Sequence, residues 1–156
     1  MKAIACITKN KGIGFKGNLL VKSKKDMSFF RKMTIGKIVV MGRKTFESLG
    51  SKPLKDRVNV VISSTNLDNK EIVQFNNLDD FLRSKYNNED TFVIGGYQIY
   101  KQLLPYVNIL YLTEVDIIKE ADTFFPDFEC EFTLVSVENC IDNDLNLKFC
   151  KYIRKE

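Results

Sequence analysis

The chain lacks histidine and tryptophan altogether, and it contains only three prolines and four cysteines in 156 residues. The absence of histidine removes the commonest metal ligand and the commonest general base. The cysteines, at positions 6, 130, 140 and 150, form no C-x-x-C pair. The sequence therefore predicts no structural or catalytic metal site. The cysteines are expected to be thiols of the core or of strands.

Long apolar runs are also missing. The N-terminal stretch MKAIACITKNKG has one short apolar run, which Lys9 and Lys11 interrupt. It is too short for a signal peptide or a membrane span. No internal repeat, low-complexity tract or linker rich in Pro, Gly and Ser divides the chain. These absences predict a single domain over residues 1–156, in a reducing, cytoplasmic environment and without a membrane partner.

The charge balance is mildly basic, with 24 Lys and Arg against 20 Asp and Glu and a net charge of +4. This balance favours anionic small molecules without requiring nucleic acid. The one basic cluster, formed by Lys22, Lys24 and Lys25, is accompanied by no recognised nucleic-acid motif. It is interpreted as the solvated start of a helix, and no nucleic-acid partner is predicted.

Apolar patterning predicts an α/β fold. Runs rich in β-branched and aromatic residues predict strands at 3–7, 38–41, 58–63, 91–94, 109–115, 132–137 and 148–153. Helical spacing predicts helices at 24–33, 44–49, 78–86 and 97–104. The alternation of strands and helices predicts a largely parallel sheet with helices on both faces. The last two strands, joined by a polar turn around 142–146, are expected to form an antiparallel hairpin.

Residues 12–17, GIGFKG, match the dinucleotide-binding pattern G-x-G-x-x-G. That pattern requires a strand that passes through the glycines directly into a helix. Here four residues separate the predicted strand from Gly12, and four more lie between Gly17 and Lys22. The acidic residue that would bind a ribose is also missing after the strand at 38–41. The segment is predicted to be a long mobile loop, with a surface turn of no function as the alternative.

The segment SKKDMSFFRKMT places Asp26, Phe30 and Met33 on one helical face. Two interpretations are equal on spacing alone. In one, Ser23 and Asp26 form a capping box, and the carboxylate only reaches back to a backbone amide. In the other, the acid faces an apolar pocket and must find a hydrogen-bonding partner there. The neighbouring apolar residues favour the second interpretation, for which a flat heterocycle with an amidine group is a suitable ligand.

The stretch TFVIGGYQIYKQLLP predicts a strand that runs through Gly95 and Gly96 straight into a helix. Two glycines let a phosphate approach the backbone closely, and the amides of the helix start are free to bind it. A plain strand-to-helix turn, the alternative, explains one glycine more easily than two.

Two further loops carry groups that suit a polyanion. In MGRKT, Arg43 and Lys44 open a predicted helix, where cations oppose the helix dipole unless they face an anion. In VISST, Ser63, Ser64 and Thr65 follow a strand. Together with the glycine pair, these loops are predicted to meet at the carboxyl edge of the sheet. Arg and hydroxyl groups around a ribose suit a 2′-phosphate, which favours NADPH over NADH.

Taken together, the motifs resemble the dihydrofolate reductase family. The resemblance extends through essentially the whole chain and is carried, in order, by IGFKGNL, Asp26 with Phe30, VVMGRKTFESLG, PLKDRVNVVISS, VIGGYQIY, LYLTEVD and ADTFFPDF. It implies a dihydrofolate-reductase-like fold with a central eight-stranded, mostly parallel sheet, an antiparallel C-terminal hairpin and flanking helices. It also implies NADPH-dependent reduction of 7,8-dihydrofolate to 5,6,7,8-tetrahydrofolate for one-carbon metabolism, binding of antifolate-type inhibitors, and a monomer.

The resemblance also implies roles for individual residues. Asp26 would bind the pterin amidine and assist protonation of the ring, aided by Thr113, and Arg57 would pair with a carboxylate of the glutamate tail. The other implied folate-binding residues are Ile4, Ala5, Val21, Met27, Phe30, Leu49, Leu54 and Ile94. The implied NADPH-binding residues are Cys6, Ile13, Gly14, Asn18, Leu19, Gly42, Arg43, Lys44, Thr45, Ile62, Ser63, Ser64, Ile94, Gly95, Gly96, Tyr97, Gln98, Ile99 and Tyr100. Of these, Ile13, Gly14, Asn18 and Leu19 would form a lid over the nicotinamide, and Gly95 and Gly96 would be joined by a cis peptide.

The chain departs from the family pattern in two places. Leu20 and Val21 stand where most relatives carry Pro-Trp, and Gln98 stands where a basic residue is common. Two alternatives follow. One is a pyrimidine reductase of riboflavin synthesis, which shares the fold and the cofactor but lacks the inward acid and Phe. The other is a non-catalytic module that binds NADPH or folate.

Overall fold

Eleven strands and four helices make up the computed structural model, which describes residues 1–156. The strands are β1 (Lys2–Thr8), β2 (Gly12–Phe15), β3 (Asn18–Leu19), β4 (Ile38–Gly42), β5 (Val58–Ile62), β6 (Val73–Phe75), β7 (Thr91–Gly95), β8 (Ile109–Val115), β9 (Thr123–Phe124), β10 (Phe132–Asp142) and β11 (Leu145–Arg154). The helices are α1 (Lys24–Thr34), α2 (Arg43–Ser48), α3 (Leu78–Leu82) and α4 (Tyr97–Leu103), and a 3₁₀ turn (Leu104–Tyr106) follows α4. No helix is both long enough and apolar enough to cross a membrane.

Eight strands form the central sheet in the order β10-β11-β8-β1-β7-β4-β5-β6. The pairs from β8 to β6 are parallel, whereas β11 runs antiparallel to both β8 and β10. Asn143, which has a positive φ of 56°, lies in the tight turn between β10 and β11. The predicted eight-stranded, mostly parallel sheet with an antiparallel C-terminal hairpin is confirmed.

The sheet separates two apolar clusters. Val40, Val60 and Val93 belong to the larger cluster, whereas their chain neighbours Met41 and Val61 belong to the smaller one. Successive residues of a strand face opposite sides of the sheet, so the two clusters lie on opposite faces. Side chains from α1 and the region of α2 pack on the smaller cluster, namely Phe29, Phe30, Met33, Phe46 and Leu49. This face is the one that carries the candidate site.

Two predicted helices are shorter in the structure. The helix predicted at 78–86 ends at Leu82, because the Ser84 hydroxyl donates to Phe81 O at 2.7 Å and Asn87 Nδ2 donates to Leu82 O at 3.0 Å. Side chains that bond to the backbone in this way compete with the helical pattern. The helix predicted at 97–104 ends at Leu103, and Pro105 lies within the following 3₁₀ turn.

The segment GIGFKG, which the sequence predicts to be a long mobile loop, contains a short strand and a tight turn. Its residues enter β2, which pairs with β3 as a hairpin and with β9 on its other side, in a separate three-stranded sheet. The turn of the hairpin holds Lys16 and Gly17, which both have positive φ. Strands of two to four residues leave too little alternation for the pattern of apolar residues to reveal them.

Candidate functional site

The carboxyl ends of the parallel strands gather the candidate residues at one edge of the sheet. Gly42 at the end of β4 is in register with Ile62 of β5, and Met41 is in register with Gly95 of β7. The loops that follow these strands therefore start side by side, as the sequence predicts. Ligands of open α/β folds bind at this edge.

Asp26 lies in the first turn of α1, beside the central strands β1 and β8. Burial raises the pKa of Asp26 because desolvation disfavours the charged form, while the polar side chains of Thr113, on β8, and Cys6, on β1, act in the opposite direction. A carboxyl so placed holds its proton more readily than one in water.

The segment SKKD caps α1 through its serine. Ser23 is the N-cap of α1, and its side chain accepts from Asp26 N at 3.1 Å. The Ser23 hydroxyl in turn donates to Asp142 Oδ2 at 2.6 Å. The Asp26 carboxyl does not complete a capping box, since the bond between these two residues runs from the Asp26 amide to the Ser23 hydroxyl and none returns to the Ser23 amide. The cap fixes the start of the helix, and the acid remains available to a ligand.

Apolar side chains of the smaller cluster surround this region. Ile4 is buried at 4% exposure, and the partly buried members packed around it include Phe30, Leu49, Leu54 and Ile94. The other predicted folate-binding side chains differ. Ala5 packs on the opposite cluster, Val21 is half-buried, and Met27 is 66% exposed. Five of the eight apolar positions thus form one continuous wall, with Met27 at its open side.

Arg57 lies at the end of this wall. Its Nη1 donates to Thr34 Oγ1 at 3.0 Å and its Nε donates to Lys55 O at 2.9 Å, while the guanidinium lies 6.0 Å from the centre of the Phe30 ring. Burial, together with the nearby charge of Arg31, lowers the pKa of Arg57. A guanidinium still stays charged at neutral pH, so it is suited to bind a carboxylate.

Gly95 and Gly96 form the turn from β7 into α4, and the peptide bond between them is cis. Gly95 has a φ of +128°, which strongly favours glycine. A Cβ on Gly96 would lie 3.3 Å from Thr45 Oγ1. Tyr100, one turn into α4, is buried, and its hydroxyl donates to Ile4 O at 2.8 Å. The turn is thus packed directly against the start of α2 and against β1.

The predicted polyanion-binding side chains differ in exposure and in whether they already have partners in the protein. Lys44 and Ser64 are exposed. Arg43 is paired with Glu47, four residues along α2. The Ser63 hydroxyl already donates to Thr65 O at 2.8 Å and accepts from Thr65 N at 3.1 Å. Among the remaining predicted NADPH-binding residues, Gln98 is exposed, Ile62 and Tyr97 are half-buried and Ile99 is buried.

The hairpin of β2 and β3 carries the predicted lid residues. Ile13 and Gly14 are half-buried, whereas Asn18 and Leu19 are exposed. Asp122 holds the hairpin at two points: its Oδ2 accepts from Lys16 N at 2.9 Å, and its amide donates to Gly14 O at 3.0 Å. Lys119 Nζ donates to Leu20 O at 2.9 Å, immediately after the hairpin.

Sequence reasoning missed several residues that organise this site. The sequence suggests no role for Thr34, Asp122 or Asp142, because their partners lie far along the chain. Cys6, which the resemblance assigns to the cofactor, lies in register with Thr113 because β1 pairs with β8. An alternation of residues in two strands does not reveal which strands become neighbours.

The chain is similar in sequence and in fold to known proteins. Residues 1–154 match the family model described as dihydrofolate reductase. The chain is 36% identical over 151 residues to a dihydrofolate reductase of Bacillus subtilis, with 94% of this chain and 89% of that one covered. It is 39% identical over 126 residues to a dihydrofolate reductase of Buchnera aphidicola from Acyrthosiphon pisum, which covers 81% of this chain and 78% of that one. A solved structure of dihydrofolate reductase from Enterococcus faecalis, complexed with NADP(H) and RAB-propyl, superimposes with a TM-score of 0.88 at 29% identity and covers 99% of this chain and 96% of that one.

Proposed function

Because this chain belongs to the dihydrofolate reductase family, we propose that Asp26 is the acid that binds the pterin ring and manages its proton. The protein is an NADPH-dependent oxidoreductase that reduces 7,8-dihydrofolate to 5,6,7,8-tetrahydrofolate. The observation that supports the role of Asp26 is its partly desolvated carboxyl, whose pKa burial raises, on the face of the sheet that carries the smaller apolar cluster. The family binds dihydrofolate and antifolates, and both carry the flat heterocycle that suits such a cleft.

In its charged form, the Asp26 carboxyl accepts two hydrogen bonds from the amidine of the pterin, which fixes the orientation of the ring. Burial raises the pKa of this carboxyl, so that it exchanges a proton nearer to neutral pH than an exposed aspartate does. Thr113, which is 1% exposed, is the proposed hydrogen-bond donor that holds the carboxyl in place. The proton reaches the ring from Asp26, directly or through one water.

Asp26 and Phe30 disfavour a pyrimidine reductase of riboflavin synthesis, which lacks this pair. The proposed partner of Arg57 is a carboxylate of the glutamate tail of folate. The apolar wall of Ile4, Leu49 and Leu54 contacts the rings of the substrate and excludes water from them.

The residues at the strand ends fit NADPH. Gly42 and Gly96 precede α2 and α4 with no side-chain cap, so the first amides of both helices are open to phosphate oxygens. A Cβ at Gly96 would fill space beside Thr45. Lys44 and Ser64 are free to bind the 2′-phosphate, as is Arg43 after release from Glu47. The bound cofactor supplies the hydride.

The hairpin of β2 and β3 acts as a lid over the nicotinamide position. Ile13 packs on the larger apolar cluster, and the Asp122 amide donates a hydrogen bond to Gly14 O. This arrangement lets the hairpin close on the cofactor while its base stays fixed.

Replacement of Asp26 by Asn tests the central role. At neutral pH we expect kcat to fall by about two to four orders of magnitude, because general acid assistance is lost. The affinity for NADPH should stay nearly unchanged. The measurement is the loss of NADPH absorbance on mixing with dihydrofolate, and Asp90→Asn, at the opposite edge of the sheet, is the control. Turnover of Asp26→Asn equal to that of the wild type would refute the assignment, and no turnover by the wild type would favour a non-catalytic module.

We also propose that residues 1–156 act as one domain, as a monomer in the cytoplasm. One sheet includes strands from both ends of the chain, and all four cysteines are free thiols. Light scattering coupled to size-exclusion chromatography tests the monomer, and cell fractionation tests the location. A mass twice that of the chain, or recovery with membranes, would contradict these proposals.

A further inference from the structure

We propose that Asp142, at the end of β10, is a positioning residue for the reaction, and that its carboxylate fixes the backbone of Asp26 through the Ser23 hydroxyl. The proposal rests on the role proposed for Asp26. It concerns what holds that residue in place at the start of α1, so it connects the C-terminal hairpin to the reaction.

Two hydrogen bonds in series connect the two aspartates. The Ser23 hydroxyl donates to Asp142 Oδ2 at 2.6 Å and accepts from Asp26 N at 3.1 Å. A hydroxyl has one proton to donate, so the bond to Asp142 turns the lone pairs of the oxygen toward the Asp26 amide. Ser23 is 2% exposed, so water has little access to these bonds. The carboxylate therefore determines how the serine holds the first turn of the helix.

Asp142 is itself held in place where β10 ends. It is in register with Leu145 across the turn that contains Asn143, whose φ is 56°. Asp142 Oδ2 also accepts from Lys25 N at 3.3 Å, so one oxygen binds two groups of the helix start. The hydrogen bond from Ser23 lowers the pKa of Asp142, and the carboxylate is therefore charged at neutral pH. A negative charge at this position also interacts favourably with the dipole of the helix.

The same hairpin contacts the next turn of α1 as well. Lys25 Nζ donates to Ile141 O at 2.6 Å. The ring of Phe29 stacks on that of Phe149, with the centroids 4.5 Å apart and the planes at 24°. Residues four apart lie on the same side of a helix, so these two contacts hold one side of α1 against the hairpin. Asp142 adds the contact that fixes the first turn.

Replacement of Asp142 by Ala removes the acceptor and leaves the Ser23 hydroxyl free to rotate. A reacting group misplaced by about 1 Å can lose about a hundredfold in rate. Because the other contacts of α1 remain, we expect a smaller loss, about three- to tenfold in kcat/KM for dihydrofolate at neutral pH. The KM for NADPH should not change. Amide hydrogen exchange should become faster at Asp26 and in the first turn of α1.

Asp142→Asn separates the hydrogen bond from the charge. Its amide oxygen can still accept from Ser23, so kcat/KM should stay within about twofold of the wild type although the charge is lost. Asp144→Ala, at an exposed position in the same turn, removes a charge without removing this acceptor and is the matched control. Equal losses in Asp142→Ala and Asp142→Asn would indicate an effect of charge alone and would overturn the proposal, as would an unchanged kcat/KM in Asp142→Ala.

Combination with Asp26→Asn distinguishes this proposal from the role of Asp26 itself. If Asp142 acts through Asp26, Asp142→Ala should cause no further loss of kcat/KM in the Asp26→Asn protein. A loss by the same factor in both backgrounds would indicate a general weakening of the fold and would overturn the proposal. Turnover of Asp26→Asn equal to that of the wild type would contradict the proposed function instead. If Asp142→Ala does not fold, Ser23→Ala breaks the same series of bonds at its other member and should show the same losses.

Discussion

Two opposing effects act on the pKa of the Asp26 carboxyl. Burial disfavours the charge, while the polar side chains of Thr113 and Cys6 favour it. The apolar wall proposed to enclose the substrate would also withdraw the acid from water, so reactivity and desolvation would have the same origin. A fold that keeps such a group loses some stability at the pH at which it works.

That loss predicts the pH dependence of stability. Burial raises the pKa of Asp26 in the folded protein above its unfolded value, so the folded state binds this proton more tightly. The resulting stabilisation is fully present below the unfolded pKa and disappears as the pH rises through the folded pKa. Asp26→Asn should therefore have a higher Tm than the wild type at pH 7, and the difference should shrink on acidification. Thermal unfolding from pH 4 to pH 8 measures it. A lower Tm for Asp26→Asn at pH 7 would contradict this account.

Arg57 provides a second residue-scale prediction. Loss of a charged hydrogen bond costs about 1.5 to 3 kcal/mol, so Arg57→Ala should raise the KM for dihydrofolate about ten- to a hundredfold. The KM for NADPH should change little. Steady-state kinetics measure both constants, and Arg83→Ala, an exposed arginine paired with Asp80, is the control. Equal effects on the two substrates would count against a role in binding the tail.

At the scale of elements, the hairpin of β2 and β3 depends on few contacts. It is joined to the rest of the molecule through β9 and through Asp122, which bonds to Lys16 and Gly14. Elements with few buried contacts open more easily than core strands. The hairpin proposed as a lid is therefore expected to move at small free-energy cost.

Asp122→Ala removes the bond from Lys16 N while it keeps the backbone bond to Gly14. We expect faster amide exchange in residues 12–19 and a decrease in kcat of about tenfold, because the lid closes less often. The free energy of unfolding should fall by less than about 1 kcal/mol, the value of one exposed hydrogen bond. Hydrogen exchange and kinetics measure these effects, and Asp144→Ala, in the distant β10–β11 turn, is the control. Unchanged exchange in the hairpin would exclude Asp122 as its tether.

The elements also mark what the sequence predicts and what it does not. Short apolar runs predicted the core strands β1, β4, β5, β7 and β8 closely, since burial on both faces leaves a strong signal. The strands β10 and β11 of the C-terminal hairpin are longer than predicted, because their exposed ends carry polar residues. The strands of two to four residues were missed. The start of α1 at Asp26 and the turn at the glycine pair follow from local pattern, whereas the register of Cys6 with Thr113 depends on which strands pair.

At the scale of the whole molecule, the central sheet separates the larger apolar cluster, which contributes mainly to stability, from the smaller one, which lies on the face of the proposed folate site. Leu110 is fully buried in the larger cluster, on the face away from Asp26. Leu49 packs on the smaller cluster and is half-buried in the wall of the proposed folate site. Substitutions at these two positions therefore act on different properties of the same core.

We expect Leu110→Ala to lower the free energy of unfolding by about 2 to 5 kcal/mol, since it leaves a cavity in a closely packed cluster. Its KM for dihydrofolate should remain that of the wild type, because the sheet lies between Leu110 and the ligand. Leu49→Ala should lose less stability, because its side chain is already partly solvated. It should nevertheless raise that KM by about tenfold, the value of a few methylene contacts. Urea unfolding and steady-state kinetics on both variants measure the contrast. A KM raised equally in both would mean that the sheet transmits packing changes from one face to the other, and the two clusters would then have to be treated as one.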